Sequence, residues 1–476
     1  MPYKEYYSIV TPMKKTNELI TKDIKQLIFQ IAIPSSIGMF FNTMYNVVDT
    51  FYIGQISTEA ISALTYSFMV FFMLLSISFG LSSAITAYVG GALGKHKRNM
   101  AQVYASNGIS FFMLIAFVLS LVSFSLLEYI FVGMGAEGKV LAYALQYTYI
   151  ILMGIFPMLI GLGANAVLIA LGDTKSYRNI LIIGFILNVI LDPLFIYGFY
   201  FIPALGISGV AFATVLIQYI TLMYMLYKLY KTRLFEVSLF FRSRPNIKVY
   251  KHLARQAVPT SINMFLGSLG SMITMYFVST YGFKAVAAFG IGYRVEQIIL
   301  LPMLGLNTAV ISIVSNNFGA KNFDRIDEVI DKALKYGYIM SAIGVVLIAL
   351  FGKYMIMVFD TDAQVVDIAY TYIIFESFIF FSFITLFIST STLQGIKNPF
   401  IIPYISFYRQ IFMPLIFFTL VVNIFVLDII YLWISMLLII SSAAIFIKIY
   451  VKKQLPKFKS EVQFFSFLNQ ATLSSP

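Results

Sequence analysis

The feature that most constrains this chain is a series of twelve apolar runs, each long enough to cross a lipid bilayer as a helix. A membrane-spanning helix needs about 20 predominantly apolar residues. Of the 476 residues, 60% are hydrophobic and 11% are charged, whereas about a quarter are charged in soluble domains. The pattern therefore predicts an all-α integral membrane protein with short loops and no large soluble domain.

The rare residue types exclude several kinds of chemistry. The chain has no cysteine, which rules out disulfides, thiolate metal sites and cysteine nucleophiles. Its two histidines, His96 and His252, lie in basic segments between the predicted spans. We therefore expect no catalytic residue, no structural metal and no cofactor, and we interpret the chain as something other than an enzyme.

The basic residues predict the orientation. If both termini are cytoplasmic, 28 of the 33 Lys and Arg residues fall in segments on that side. An excess of basic residues in the inner loops of membrane proteins fixes their orientation. We expect a multi-pass plasma-membrane protein with both termini in the cytoplasm, and the net charge of +12 then indicates topology and not a nucleic-acid partner.

The two halves of the chain are related. Pro34 of IPSSIGMFF and Pro259 of VPTSINMFL are separated by the same interval as Gly80 and Gly305. Six spans in each half predict a parallel repeat, which is a known architecture of secondary transporters. We expect two six-helix lobes around a central cleft, with these boundaries: cytoplasmic tail 1–25, N-lobe 26–230, cytoplasmic linker 231–253, C-lobe 254–450 and cytoplasmic tail 451–476.

Two intramembrane acids are the main functional candidates, because an acid inside the hydrocarbon is expensive unless it is paired, solvated or protonated. Asp49 and Asp192 are predicted at similar depth in spans 1 and 5. Helical spacing and depth place further oxygen atoms near them. The predicted site adds Asn188 and Thr214, with Tyr45 and Asn46 in supporting positions.

This set of groups suits a coupling ion. Carboxylate, amide and hydroxyl oxygens are hard ligands suited to Na⁺, and one of two close carboxylates can instead carry a proton. Both ions stay open, and so does a structural role in which backbone groups at a kink beside Pro193 satisfy the acids. The second half has Thr274 and Met413 at the matching positions, which favours an ion site that is needed only once.

These motifs resemble the multidrug and toxic compound extrusion (MATE) family, in particular its DinF-like and MepA-like branch. The resemblance rests on YNVVDTFYIG (45–54), ALGDTK (170–175), NVILDP (188–193) and the span that begins FGIGYRVEQ at residue 289. It implies a twelve-helix secondary transporter. It also implies that Asp49, Asn188, Asp192 and Thr214 form an N-lobe cation or proton site, and that Pro34 matches a proline at which span 1 bends.

Other intramembrane charges lie in the second half. They are Arg294 and Glu296 in span 8, Glu376 in span 10 and Arg409 in span 11. Glu296 and Arg409 are predicted at a similar depth, so an ion pair between them is geometrically plausible. That pair either fixes the packing of the lobe or handles substrate or protons.

The function predicted from these features is ion-coupled export. The 47 Phe, 32 Tyr and 22 Met residues can supply an adaptable cleft for amphipathic, often cationic organic compounds, which would leave in exchange for H⁺ or Na⁺. The alternative in the same superfamily is a flippase or an exporter of a specific lipid-linked or secreted metabolite, which a basic cleft would favour. A channel is a third possibility. The expected partners are a small-molecule substrate and membrane lipid, with the protein acting as a monomer and without nucleic acid.

Overall fold

The computed structural model of the protein describes residues 17–200, 203–235 and 245–473. Within those ranges, twelve helices are long and apolar enough to cross a membrane, which confirms the predicted all-α architecture. Residues 1–16, 236–244 and 474–476, which belong to the predicted tails and linker, lie outside the described residues. The twelve helices are α1 Ile24–Gly54, α2 Thr58–Gly94, α3 Arg98–Gly133, α4 Gly138–Ala170, α5 Lys175–Tyr197, α6 Ile207–Lys231, α7 Ile247–Ser279, α8 Phe283–Ala320, α9 Phe323–Met357, α10 Ala363–Gly395, α11 Ile402–Ile424 and α12 Ile430–Leu473.

Short polar residues begin several of these helices. The Asp23 carboxylate accepts a hydrogen bond from the Gln26 amide at the start of α1 (3.0 Å), and the Ser57 hydroxyl accepts one from the Ala60 amide at the start of α2 (3.1 Å). Asp362 caps α10 in the same way. These caps satisfy backbone donors that the helix itself leaves unpaired, so the loops between helices can be short.

Two apolar cores form the two lobes, and each core takes in part of the other lobe's first helix. The core of α2–α6 includes the beginning of α7, at Val249, Leu253 and Ala257. The core of α8–α12 includes the beginning of α1, from Ile24 to Ala32. We call the end of the bundle where α6 ends and α7 begins the linker end, and the opposite end the far end. Because the cores overlap at the linker end, the lobe boundaries at residues 230 and 254 stay a prediction.

Glycines allow the lobes to pack tightly toward the linker end, and they do so with the predicted symmetry. A Cβ atom at Gly80 of α2 would lie 2.5 Å from the carbonyl oxygen of Ala257 in α7, and a Cβ at Gly305 of α8 would lie 2.5 Å from that of Ala32 in α1. The repeat interval relates Gly80 to Gly305 and Ala32 to Ala257, so the two contacts are equivalent. Only glycine permits this approach, which is a common way for membrane helices to associate.

The far half of the molecule is more open. In α7 and α8, a Cβ added at Gly267 or Gly290 would meet none of the described atoms within 4 Å, apart from its own helical turn. Toward the linker end, by contrast, Gly94 packs against Asn316, and Gly319 packs against Gly91. The four helices α1, α2, α7 and α8 therefore converge toward the linker end and line a cleft that opens toward the far end.

Candidate ion-coupling site

The two predicted acids of the N-lobe meet through one amide. The Asn188 side chain of α5 donates to Asp49 Oδ1 of α1 (2.8 Å) and to Asp192 Oδ1, one turn further along α5 (2.9 Å). Asp49 is 2% exposed, and Asn188 and Asp192 are 0% exposed. The structure thus brings Asp49, Asn188 and Asp192 together in a buried cluster.

Close helix packing produces this burial. A Cβ at Gly38 of α1 would lie 3.3 Å from the Cα atom of Arg178 in α5, and one at Gly209 of α6 would lie 2.5 Å from the Phe195 carbonyl oxygen. Pro193, directly after Asp192, has no amide hydrogen to donate to the Val189 carbonyl four residues earlier. The Tyr52 hydroxyl of α1 lies 3.5 Å from that oxygen. Glycines bring α1, α5 and α6 together, and Pro193 opens α5 beside the acids.

Of the other predicted neighbours, some join the cluster and one does not. The Tyr45 hydroxyl donates to Thr214 Oγ1 of α6 (3.0 Å), so these two side chains form one wall of the site. Asn46 instead donates to the carbonyl oxygen of Asn42 in its own helix (3.1 Å). Tyr147 of α4, which the sequence did not single out, is buried near both carboxylates. It is one of 32 tyrosines, and no motif distinguishes it.

The cluster has more acceptor oxygens than donors. Among the described residues, Asp192 Oδ2 and Asn188 Oδ1 are buried and have no hydrogen-bond partner. A buried acceptor without a partner is unfavourable, and two neighbouring carboxylates repel each other when both are ionised. A bound proton or a small hard cation would remove both problems. The oxygen atoms of this cluster therefore suit an exchangeable cation.

The comparisons with known proteins identify the family. The model of the MatE family matches residues 34–194 and 259–420, one match in each half. The chain belongs to the MATE family. An FAD transporter of Shewanella oneidensis is 27% identical over 75% of this chain and 78% of its own length, and the probable multidrug resistance protein YoeA of Bacillus subtilis is 28% identical over 66% and 69%. A MOP superfamily transporter from Pyrococcus furiosus shares the fold at a TM-score of 0.87 and 22% identity, over 94% of this chain and 100% of that one.

Membership settles the broad class of this MATE protein. It is a multi-pass membrane transporter and not an enzyme. The family predicted from the four motifs is confirmed, while its placement in the DinF-like and MepA-like branch stays a prediction.

The C-lobe charges of this MATE protein are not arranged as predicted. Glu296 of α8 accepts a hydrogen bond from the Tyr372 hydroxyl of α10 (2.8 Å). Within the described part of the chain, no ion pair joins Glu296 to Arg409, so that prediction is wrong. The reason is helix rotation: Glu296 faces α10, whereas Arg409 lies in a π-helical turn of α11, Tyr408–Phe412. There, the Arg409 guanidinium lies 2.9 Å from the side-chain amide of Gln410.

The remaining acid of that lobe lies one turn beyond Tyr372. Glu376 is 2% exposed, and its Oε2 atom has no hydrogen-bond partner in the described ranges. The rings of Phe289 and Trp433 pack on Tyr372 at centroid distances of 5.1 and 4.8 Å. Glu296 and Glu376 are thus enclosed in the interior of the C-lobe, away from the cleft.

Pro34 lies inside α1, on the cleft side of its linker-end half. It lines a small cavity together with Ser35, Asn165, Arg178 and Thr308. Ser35 donates to Thr308 of α8 (3.3 Å), so the segment after Pro34 touches the other lobe. The hinge role of Pro34 stays a prediction.

Proposed function

We propose that this MATE protein is a secondary antiporter that exports amphipathic organic compounds, often cationic ones, in exchange for H⁺ or Na⁺. The observation that carries the proposal is the buried cluster of Asp49, Asn188 and Asp192, with its two unpartnered acceptor oxygens. A site that gains stability by taking up a cation, and that lies beside a cleft between two lobes, supports exchange of an ion for a substrate.

A single returning ion supplies enough free energy for such export. Moving one elementary charge across the membrane is worth about 2.3 kcal/mol per 100 mV. For an uncharged substrate, a potential of roughly 60 mV therefore sustains about a tenfold concentration ratio, since 1.4 kcal/mol corresponds to a factor of ten. A monovalent cation exchanged one for one moves no net charge, and the concentration gradient of the returning ion then supplies the free energy. No nucleotide hydrolysis is required.

The basic segments at the linker end support a cytoplasmic location for it, by the positive-inside rule. In that orientation both termini are cytoplasmic and the cleft opens to the outside. The exporter then releases substrate from this arrangement and returns by parting the glycine contacts at the linker end. We further propose that it works as a monomer, because the cleft and the ion site are complete within one chain.

The relatives support more than one substrate class. One is named an FAD transporter and others are named probable multidrug resistance proteins or multidrug export proteins. We therefore keep a second candidate, a flippase or exporter of a specific lipid-linked or secreted metabolite. The exposed arginine in the cleft wall, Arg294, is the observation that favours it.

Transport by purified protein in proteoliposomes, with Na⁺ and pH gradients imposed separately, tests the proposal. We expect one gradient to drive accumulation of an amphipathic dye, and the flux to saturate and to show counterflow. Equal flux with and without either gradient would exclude coupling, and flux that does not saturate would indicate a channel.

A further inference from the structure

The fixed charges of the cleft helices are sorted by sign. Between their end turns, α1, α2 and α8 contain two acids, Asp49 and Glu296, and α7 contains none. Asp49 is 2% exposed and Glu296 is 7% exposed, both inside their lobes. Arg294, two residues from Glu296, is exposed. Between the linker end and the far end, these four helices therefore present positive charge outside the lobe interiors.

Helix geometry places Arg294 on the cleft side of α8. Gly292 packs against the Tyr372 ring, and Glu296 bonds to the same tyrosine, so positions 292 and 296 face the interior of the C-lobe. A residue two positions away points about 160° from each, because successive residues turn by about 100°. Arg294 is thus directed away from the C-lobe core.

The contacts of α8 with the N-lobe give the same direction. Gly305 packs against α1 and Gly319 packs against α2. At about 100° per residue, each of these glycines points within about 20° of the direction of Arg294 around the helix axis. Gly290, one turn from Arg294 on that face, has open space beside it. Arg294 therefore faces the N-lobe across the open part of the cleft, about 16 Å from the far end of α8.

A second arginine lies at the closed end of the cleft. Arg178 lines the cavity beside Pro34, and its guanidinium hydrogen-bonds to the neutral side chain of Asn179 (2.6 and 3.0 Å). Neither Arg178 nor Arg294 forms an ion pair within the residues that the structure describes. Asn165 lines the same cavity, is 8% exposed, and its Oδ1 atom has no partner there. The closed end of the cleft therefore has an unneutralised cation and an unused polar group.

One wall of the cleft adds neutral polar groups. Asn42 and Asn46 follow Ser35 in α1 at intervals of about two and three helical turns, so they lie on the helix face that meets Thr308 of α8. Asn42 is exposed. These amides can donate hydrogen bonds to an oxygen-rich group without adding negative charge.

We propose that the cleft recognises substrates through an anionic group, a carboxylate or phosphate attached to an apolar body, and that Arg294 is the residue that selects it. Charged side chains at membrane depth are rare, and those that face a cavity between helices mark substrate or ion pathways. The guanidinium of Arg294 always carries its charge and binds carboxylate or phosphate in a bidentate manner. The inference rests on the proposed export of amphipathic compounds. Among them it assigns those with an anionic group as substrates, in place of the cations expected from the abundance of aromatic residues and methionine.

The direct test is binding to detergent-solubilised protein, which does not depend on transport. The probes are two fluorescent dyes of similar size, a carboxylated anion and an esterified cation, and binding is followed by fluorescence anisotropy. We expect Arg294→Gln to raise the Kd for the anion by at least about tenfold, the loss expected when a charge-assisted hydrogen bond is removed. Arg294→Lys should lose less. Lys353→Gln is the matched control, because Lys353 is an exposed basic residue of the same lobe that lies over the Tyr370 ring.

Transport in proteoliposomes then separates the two possible sources of the anion. Gradient-driven movement of the soluble dye indicates an exported metabolite, while movement of a fluorescent anionic phospholipid between leaflets, measured by chemical quenching of the outer leaflet, indicates a lipid headgroup. Either result supports the inference if Arg294→Gln abolishes it. Tighter binding of the cation than of the anion, unchanged by Arg294→Gln, would overturn the inference. If the gradients then drive flux of that cation, the proposed antiport is supported although the anion selectivity is rejected.

Discussion

The candidate ion-coupling site of the N-lobe and the equivalent position of the C-lobe have opposite chemistry. The repeat interval that relates Pro34 to Pro259 pairs Asp49 with Thr274. The Thr274 hydroxyl donates to the Gly270 carbonyl oxygen of its own helix (3.0 Å). Aligning Asp192-Pro193-Leu194 with Met413-Pro414-Leu415 places Arg409 at the position of Asn188.

The N-lobe arrangement of acid, amide and acid thus becomes threonine, arginine and methionine in the C-lobe. Where the proposed N-lobe site would take up and release a cation, the C-lobe carries the fixed charge of Arg409. The acids of the C-lobe, Glu296 and Glu376, lie elsewhere, under the Tyr372 hydroxyl and its aromatic neighbours. A duplicated fold can therefore keep its packing in both halves while only one half has the arrangement of acid, amide and acid.

The largest effect that this comparison predicts follows from Asp49→Asn. We expect gradient-driven transport to fall to the level of empty vesicles, because the neutral amide cannot exchange a cation. Folding should be retained, since the substitution replaces one of two neighbouring carboxylates by an amide of similar size. Thr274→Val is the matched change in the other lobe and should leave transport near that of the wild type. Coupled transport by Asp49→Asn at the rate of the wild type would contradict the assignment of Asp49 to the ion site.

A large difference is also expected in stability. Asn188→Leu removes the donor shared by two buried carboxylates, and we expect it to lower the free energy of unfolding by about 3 kcal/mol. Arg409→Met should be neutral or stabilising, because Arg409 is only partly exposed and has no carboxylate partner in the described residues, so the change removes an unpaired charge. Thermal unfolding in detergent measures both variants. Equal destabilisation by the two changes would argue that the Arg409 position contributes to packing as Asn188 does.

Sequence reasoning predicted the clustering of the N-lobe residues because they lie at helical spacings on two spans. Asn188 and Asp192 are one turn apart, and the depth of Asp49 follows from its place in α1. What the sequence lacks is the rotation of each helix about its axis. Asn46 is three residues from Asp49 yet lies on the cleft face of α1, and Glu296 at the depth of Arg409 faces a different helix.

The overlap of the two cores also escaped prediction. Hydropathy assigns Ile24–Ala32 to the first span but contains no information on which lobe those residues contact. The small residues that permit the overlap, Gly80 and Gly305, were visible as a repeat, but their packing against Ala257 and Ala32 depends on tertiary structure.

A smaller effect should distinguish the two symmetry-related prolines. If α1 bends at Pro34 when the Asp49 site changes its occupant, Pro34→Ala should slow turnover severalfold and leave the ion dependence intact, since proline is what weakens the helix there. Pro259→Ala, at the same position of α7, lies in the lobe without the acid site and should have little effect. Initial rates at saturating substrate test both. Equal rates for all three proteins would mean that Pro34 is a fixed kink that serves packing.

The smallest expected effect concerns the loops that end α4 and α10. Gly172 and Lys397, which the repeat interval also pairs, both have positive φ (78° and 64°), and matching backbone hydrogen bonds close both loops. The C-lobe thus has a lysine where the N-lobe has glycine. Its Nζ atom lies 4.5 Å from the ring centroid of Tyr88 in α2, and it would lie 2.7 Å from a Cβ at Gly91. Lys397 therefore reaches from the C-lobe to the N-lobe at the linker end.

Burial, with a contribution from nearby Lys95, lowers the pKa of Lys397 to about 8 from an ordinary value of 10.5. When the lobes part, the amine returns to water and its pKa rises. Between these two pKa values the parted state binds more protons than the closed state. The closed state is therefore stabilised as the pH rises above about 8, and this stabilisation is absent below pH 8. The cation–π contact with Tyr88 opposes the trend, because it needs the charged amine.

Lys397→Gly places the N-lobe residue in the C-lobe loop and removes the titrating group, so it should flatten this pH dependence without loss of the turn. Because the chain has no cysteine, spin labels at Lys97→Cys and Lys321→Cys can report the distance between the lobes at the linker end. We expect the population with the short distance to grow from pH 7 to pH 10 in the lysine protein and to stay constant in Lys397→Gly. A parallel rise in both proteins would assign the pH dependence to another group, and the difference between the two loops would then be confined to packing.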